Sequence, residues 1–104
     1  MNMGILDFLG FGDKSKQITE FMERGAIIID VRTYEEFASG HIKKAKNIPL
    51  QVIQTKINDI IAMNKPIIVC CRSGMRSGQA NSILRSNGIE AINGGGWQSL
   101  QNKL

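Results

Sequence analysis

Two short apolar runs interrupt the otherwise mixed polar and apolar pattern of the chain, and both predict buried strands. Ala26–Val31 (AIIIDV) and Ile67–Cys71 (IIVCC) are too short for core helices and rich in β-branched residues. Two weaker segments, Ala45–Ile48 and Ile89–Asn93, are predicted as further strands. The glycine run at 94–96 follows the last of them and is expected to be flexible.

Segments with helical features alternate with these strands. Asp13–Gly25 has an apolar face, with Asp13 or Ser15 as its cap and Gly25 as its stop. Thr33 and Glu36 form a T-x-x-E capping box that opens a short helix ending at Gly40. The remaining helices are predicted over Val52–Met63, over Gly78–Asn87 and after Gly96. This alternation predicts an α/β fold with a parallel sheet and helices on both of its faces.

The length of 104 residues suits one compact domain. We assign it to residues 13–104 and leave residues 1–12, an apolar and glycine-broken segment, without a role. No apolar stretch reaches the ~20 residues of a membrane helix. The first residues also lack the basic and continuously apolar regions of a secretory signal. We therefore expect a cytoplasmic protein with no membrane span.

Charge and cysteine content narrow the possible ligands. The net charge of +4 is mild, and no basic run is interleaved with aromatic residues, so nucleic acid is not an expected partner. A small anion fits the same bias, since five of the 13 basic residues fall in two short segments, at Lys43, Lys44, Lys46, Arg72 and Arg76. The two cysteines, Cys70 and Cys71, are adjacent in the sequence. Adjacent cysteines cannot form a disulfide that links distant parts of the fold, and two cysteines are too few ligands for a zinc site.

The segment 67–77, IIVCCRSGMRS, carries the candidate chemistry. A buried strand ends at Cys71, a tight loop containing Gly74 follows, and a helix begins. Ligands of open α/β sheets bind at the carboxyl ends of strands, where loop amides and a helix N-terminus attract anions. Together with Arg72 and Arg76, these groups should lower the pKa of Cys71 and favour its reactive thiolate. The alternative is that Cys71 merely packs at the strand end.

At these residues the chain resembles the rhodanese (thiosulfate sulfurtransferase) superfamily. The loop matches the pattern C-x-x-G-x-R-S through Cys71, Gly74, Arg76 and Ser77. The resemblance extends over about residues 14–104 and includes IIDVRTYEEFASGHI at 28–42, NIP at 47–49 and a late glycine pair. It implies a three-layer α/β/α fold around a mostly parallel sheet of four to five strands. It also implies catalysis without a metal or an organic cofactor.

The resemblance further implies sulfur transfer through a persulfide on Cys71. The donor would be a small sulfur anion such as thiosulfate, and the acceptor would be cyanide or a thiol, either a low-molecular-weight thiol or a thioredoxin-like protein. The substrate-binding residues would be those of the loop, Arg72, Ser73, Gly74, Met75, Arg76 and Ser77. The alternative is a persulfide carrier or a partner-binding module without turnover of its own.

Residues outside the loop have supporting interpretations. We expect Asp30 and Arg32 to hold the loop through an ion pair, and His41 to be structural, since a thiolate already formed needs no general base. Cys70 should pack in an apolar layer opposite to Cys71, with a resolving cysteine as the alternative. Leu100 stands where the family often has a tryptophan, and the family's first strand is not legible in this chain.

The loop length yields the first testable prediction. The phosphatase relatives of this family have C-x5-R, whereas four residues separate Cys71 from Arg76 here. The smaller ring of amides should not enclose a tetrahedral phosphate, so the purified protein should not hydrolyse an aryl phosphate. Robust hydrolysis that disappears in Cys71→Ser would overturn this prediction and favour a phosphatase or an arsenate reductase.

Overall fold

The computed structural model describes residues 14–104. The apolar segment 1–12 and the helix cap expected at Asp13 lie outside these residues. Among the helices of the described part, none is both long enough and apolar enough to cross a bilayer.

A parallel four-stranded sheet forms the centre of the described structure. Its strands are β1 (Ile27–Asp30), β2 (Lys46–Asn47), β3 (Ile67–Cys71) and β4 (Ala91–Gly96), in the spatial order β2-β1-β3-β4. Every neighbouring pair runs parallel. The all-parallel arrangement confirms the predicted α/β class, and four of the expected four to five strands are present in residues 14–104.

Helices connect the strands and cover both faces of the sheet, which confirms the three-layer arrangement. They are α1 (Lys14–Glu23), α2 (Tyr34–Ala38), a 3-10 helix (Leu50–Lys56), α3 (Ile57–Met63), α4 (Met75–Ser86) and α5 (Trp97–Gln101).

Two apolar layers pack against opposite faces of the sheet because successive side chains of a strand point to opposite sides. The first layer combines Ile67, Val69 and Cys71 of β3 with apolar residues of the 3-10 helix, α3 and α4. The second layer combines Ile68 and Cys70 with apolar residues that include Ile18 of α1 and Leu100 of α5. All five residues of β3 are buried, so this strand is enclosed on both faces.

The capping box at the start of α2 is present as predicted. The Thr33 hydroxyl oxygen accepts a hydrogen bond from the Glu36 amide at 3.2 Å. The Glu36 carboxylate in turn accepts one from the Thr33 amide at 2.9 Å. These two bonds fix the direction in which the chain leaves β1 and place the Glu36 side chain at the start of α2.

The predicted helix over 52–63 is two helices of different type. The chain first forms the 3-10 helix after Pro49 and becomes α-helical at Ile57. The β-branched residues of QVIQT lose side-chain freedom in an α-helix, which weakens the preference for that form in this stretch. Within α3, Ile57 and Ile60 are buried, whereas Ile61 is half exposed.

The glycine run is part of the sheet, and the expectation of a flexible segment at 94–96 is wrong. Gly94 has no room for a side chain, since a Cβ there would lie 2.8 Å from Ile68 Cγ2. A Cβ on Gly96 would lie 2.6 Å from the Arg72 carbonyl oxygen. The register between β3 and β4 shifts at this point, so that Cys71 pairs with Gly96. The small residues therefore let β4 approach the loop that follows β3.

The helix after the loop begins three residues earlier than Gly78, the predicted start. Gly74 precedes Met75 with a φ of 100°, a left-handed conformation that side chains disfavour. This residue lets the chain turn from the loop into α4 within a single step. The early start brings Arg76 and Ser77 into the first turn of the helix, beside the end of β3.

Leu100 is fully buried in the second layer, where the family often has a tryptophan. We predict that Leu100→Ala lowers the free energy of unfolding by about 2–5 kcal/mol, because it leaves a cavity in a packed layer. Leu104→Ala is the matched control, since Leu104 is 51% exposed and its truncation should cost less than about 0.5 kcal/mol. Urea denaturation measures both variants, and equal losses would contradict the burial of Leu100.

Candidate active site

Cys71 is the last residue of β3, and its sulfur faces a ring of hydrogen-bond donors. The Gly74 amide donates to Cys71 Sγ at 3.0 Å, and the Ser77 amide donates at 3.4 Å. The Ser77 hydroxyl lies 3.3 Å from the same sulfur. The residue is only 1% exposed, so the sulfur occupies the floor of the loop.

These donors decide the ionisation of Cys71. Burial by itself raises the pKa of the thiol, because the charged form loses water. Hydrogen bonds from the Ser77 side chain, and from the amides of Ser77, Gly74 and Ser73, act in the opposite direction and prevail. The pKa of Cys71 is therefore lowered, which favours the thiolate that nucleophilic chemistry needs.

Cys70 has the opposite environment, as expected for its neighbouring strand position. Its side chain is fully buried in the second layer, on the other face of the sheet from Cys71. Burial, together with the negative charge of Asp30, raises the pKa of this thiol far above its ordinary value. The packing role predicted for Cys70 is confirmed, because the two sulfurs belong to different layers.

Arg76 forms an ion pair that the sequence interpretation missed. Its guanidinium donates to Glu36 Oε1 at 2.7 Å and to Oε2 at 3.1 Å, so that the pair is bidentate. Glu36 is thus both the helix cap of α2 and the partner of Arg76. The bonds from Arg76 and Thr33 lower the pKa of Glu36 to about 2. The partners lie 40 positions apart in the sequence, and no local spacing pattern reveals a contact over that distance.

The expected ion pair between Asp30 and Arg32 is present and fully buried at Asp30. Arg32 Nη2 donates to Asp30 Oδ2 at 2.7 Å, and Nε donates to both carboxylate oxygens. Arg32 also donates to the carbonyl oxygens of Glu36 and Gly40, and it lies over the Trp97 ring at 4.7 Å. We expect this pair to hold the Cys71 loop, but the other hydrogen bonds of Arg32 go to Glu36 and Gly40. The pair therefore supports the loop indirectly, because Glu36 in turn binds Arg76.

His41 is exposed and interacts with α2. Its Nδ1 lies 2.8 Å from the Phe37 carbonyl oxygen, and its ring stacks on the Phe37 ring at a centroid distance of 3.8 Å. These contacts fit the structural role expected for His41.

The remaining loop residues differ in exposure. Arg72, Ser73 and Met75 are exposed, and Met75 reaches 77%. Gly74 packs against β4, where a Cβ on Gly74 would lie 3.4 Å from Gly95 Cα. The loop therefore presents Arg72, Ser73 and Met75 to solvent, while Gly74 packs against β4.

Asn93 of β4 is a site residue that the sequence interpretation did not single out. Its side-chain amide donates to the Gly74 carbonyl oxygen at 3.0 Å. Its Oδ1 accepts from the Ser77 hydroxyl at 2.7 Å and from the Gly95 amide at 2.9 Å. An asparagine inside a predicted strand, just before three glycines, is the available signal, because this residue type is disfavoured in strands.

Comparisons with known proteins agree with this arrangement. A family model described as a rhodanese-like domain matches residues 15–103. The chain is 44% identical over 69 residues to the uncharacterized protein YqhL of Bacillus subtilis, a match that covers 66% of this chain and 54% of that protein. It thus spans about half the length of this relative. The thiosulfate sulfurtransferase PspE of Escherichia coli is 35% identical over 74 residues, covering 69% of this chain and 71% of PspE.

A solved structure gives the same result for the fold. The crystal structure of a rhodanese-like domain protein from Staphylococcus aureus matches with a TM-score of 0.69 and 31% identity. The match covers 84% of this chain and 86% of that one. This chain therefore shares the fold of that rhodanese-like domain protein.

The low pKa of Glu36 predicts how stability depends on pH. A carboxyl group whose pKa is lowered on folding contributes stability above its unfolded pKa, near 4.5, and loses that contribution as the pH falls toward 2. We expect Glu36→Gln to be less stable than the wild type at pH 6 and to lose less stability between pH 5 and pH 2.

Chemical denaturation across this pH range measures the effect. Glu35→Gln is the matched control, because Glu35 is an exposed carboxyl group in the same turn of α2. The control should keep the wild-type slope. If Glu36→Gln also kept that slope, the ion pair with Arg76 would not be the source of the dependence.

Proposed function

Because the chain belongs to the rhodanese-like domain family, we propose that it is a sulfurtransferase that carries a sulfane sulfur as a persulfide on Cys71. The observation that carries the proposal is the ring of donors around Cys71 Sγ, formed by the amides of Gly74 and Ser77 and by the Ser77 hydroxyl. Such a ring stabilises negative charge on Cys71 Sγ, which is present on the nucleophile before loading and on the leaving group during unloading.

The first half of the reaction loads the cysteine. The Cys71 thiolate attacks the outer sulfur of thiosulfate and forms a new S–S bond. The original S–S bond of thiosulfate breaks, and sulfite leaves with the bonding electron pair. Cys71 then carries a persulfide anion, and no external oxidant or reductant is consumed.

The second half of the reaction unloads it. A thiolate acceptor attacks the outer sulfur, the S–S bond to Cys71 breaks, and Cys71 leaves as a thiolate. The acceptor becomes a persulfide, or thiocyanate where the acceptor is cyanide. The donors that favoured the thiolate before loading now stabilise it as a leaving group. The proposed acceptor is a low-molecular-weight thiol or a thioredoxin-like protein.

Positive charge at the site has two sources in this proposal. Arg72 is exposed on the loop and is the residue that we assign to the first contact with an anionic donor. Arg76 lies deeper and already pairs with Glu36, so its main contribution is to hold α2 against the loop. We assign substrate contacts to the loop from Arg72 to Ser77, with the exposed Met75 beside the incoming acceptor.

The pairing of Arg76 with Glu36 also favours a second candidate, a persulfide carrier that serves a specific protein. An internal carboxylate on Arg76 competes with a small dianion for the same guanidinium. Slow reaction with thiosulfate would follow, while a protein donor that presents a persulfide would not need this cation. Both candidates use Cys71 in the same way and differ in their turnover with small substrates.

Substitution of each cysteine tests the proposal. Cys71→Ser should reduce sulfur transfer from thiosulfate to cyanide to the background rate without unfolding the protein. Cys70→Val is the matched control, since it alters the adjacent residue in the opposite layer and should keep most of the activity. Circular dichroism checks that both variants fold.

Intact mass after exposure to thiosulfate distinguishes the two candidates. A gain of one sulfur atom that is lost in Cys71→Ser, with rapid turnover, supports the enzyme. The same gain with negligible turnover supports the carrier. Turnover retained in Cys71→Ser, or transfer to thiols lost in a folded Cys70→Val, would contradict the assignment of Cys71 as the sole nucleophile.

A further inference from the structure

Asn93 occupies a position between β4 and the loop that leaves little freedom to its side chain. The Gly74 carbonyl oxygen can only accept a hydrogen bond, so the atom that faces it at 3.0 Å must be Nδ2. The Gly95 amide can only donate, so the atom that faces it at 2.9 Å must be Oδ1. These two contacts fix the orientation of the Asn93 amide through backbone groups alone.

The fixed amide determines where the Ser77 hydroxyl points. Ser77 Oγ lies 2.7 Å from Asn93 Oδ1, which has lone pairs and no proton. In this contact the hydroxyl is therefore the donor, with its single proton directed toward Asn93. Its lone pairs then face Cys71 Sγ, 3.3 Å away. With Cys71 as a thiol, the S–H group donates to Ser77, and the donors form an ordered chain from Cys71 through Ser77 to Asn93.

The thiolate cannot keep this arrangement. Once Cys71 has lost its proton, both Sγ and Asn93 Oδ1 are acceptors, and Ser77 has one proton for the two of them. A hydroxyl that stays on Asn93 would turn its lone pairs toward a negative sulfur. Rotation about the C–O bond moves the proton to Sγ and leaves Asn93 Oδ1 with the Gly95 amide as its donor.

We propose that Asn93 is a positioning residue that draws the Ser77 hydroxyl away from Cys71 and releases it when Sγ carries the negative charge. The role of Asn93 in sulfur transfer rests on the function proposed above. In that reaction the Ser77 hydroxyl would bond to Asn93 while Cys71 is a thiol or a persulfide. It would turn to Sγ as the S–S bond breaks and the thiolate leaves. The same competition makes the resting thiol harder to ionise than it would be beside an unengaged hydroxyl.

Three cations around this network are held by partners that substitution of the Asn93 side chain does not remove. Arg76 is paired with Glu36, and Arg32 with Asp30. Lys14 of α1 donates to the main-chain carbonyl oxygen of Asn93 at 2.9 Å, an atom that every variant retains. Further titratable groups near these residues include the exposed Arg72 beside Cys71, Cys70 in the opposite layer, and Lys103, which lies near Lys14.

The pH dependence of Cys71 alkylation by iodoacetamide, followed by peptide mass, tests the proposal without requiring turnover. Asn93→Ala should lower the pKa of Cys71 by about half a unit to one unit, since one hydrogen bond no longer competes for the Ser77 proton. In a Ser77→Ala background the same substitution should produce no such lowering, because the shared hydroxyl is absent. A residue that merely supports the loop would raise the pKa in both backgrounds.

A second variant keeps the test decisive if Asn93→Ala does not fold. Asn93→Asp retains the acceptor and binds the Ser77 hydroxyl more strongly, so Ser77→Ala should then raise the pKa of Cys71 less than it does in the wild type. An equal rise in both backgrounds would overturn the proposal, as would a rise of the pKa in Asn93→Ala.

Matched controls are Ser82→Ala and Asn87→Ala, which remove exposed side chains that bond to the main chain of α4. Both should leave the Cys71 pKa unchanged.

Persulfide formation measured by intact mass separates the role proposed for Asn93 from the proposed function. If the wild-type protein accepts sulfur but the titrations show no coupling between Asn93 and Ser77, the role proposed for Asn93 is refuted and the proposed function is not.

Discussion

A sulfur anion at the end of a buried strand depends on hydrogen-bond donors that replace the water it has lost. In this protein the donors are loop amides and one hydroxyl, and they converge on Cys71 because the chain turns sharply at Gly74. The turn requires the left-handed conformation of Gly74, and the space for it exists because β4 carries glycines where it passes the loop. The end of β3, the register shift between β3 and β4, and the start of α4 together place the donors that stabilise this one sulfur atom.

A series of charged contacts connects this loop to the rest of the fold. Asp30, buried at the end of β1, orients Arg32, which binds carbonyl oxygens in and after α2. Glu36 of α2 then binds Arg76 in the first turn of α4. Each cation is matched by a carboxylate in a bidentate or multiple contact, so the charges are held in defined positions. The loop is therefore supported from α2 on one side and from β4 on the other.

The sequence predicts the elements that depend on local patterns and misses the contacts that depend on distant partners. β1 and β3 are recognisable because strands enclosed on both faces are continuously apolar, and the T-x-x-E box marks α2. The role of 94–96 is not recognisable, since a glycine run predicts flexibility until the strand packed against it is known. The capping box already accounts for Glu36 from the local sequence, so nothing in that pattern indicates its bond to Arg76. Asn93 acts through the loop of another strand, and its function follows only from the register of β3 and β4.

Because the two adjacent cysteines lie in different layers, the reactivities of their thiols can be measured as two independent properties of the protein. Cys71 reports on events within the loop, whereas Cys70 is sealed beneath α1 and α5 and can meet a reagent only when the second layer separates from the sheet. The rate at which a thiol-exchange reagent modifies Cys70 under native conditions therefore measures the free energy of that separation. The thiols of two adjacent residues thus measure different processes: Cys71 measures the chemistry of the loop, and Cys70 measures the spontaneous opening of the fold.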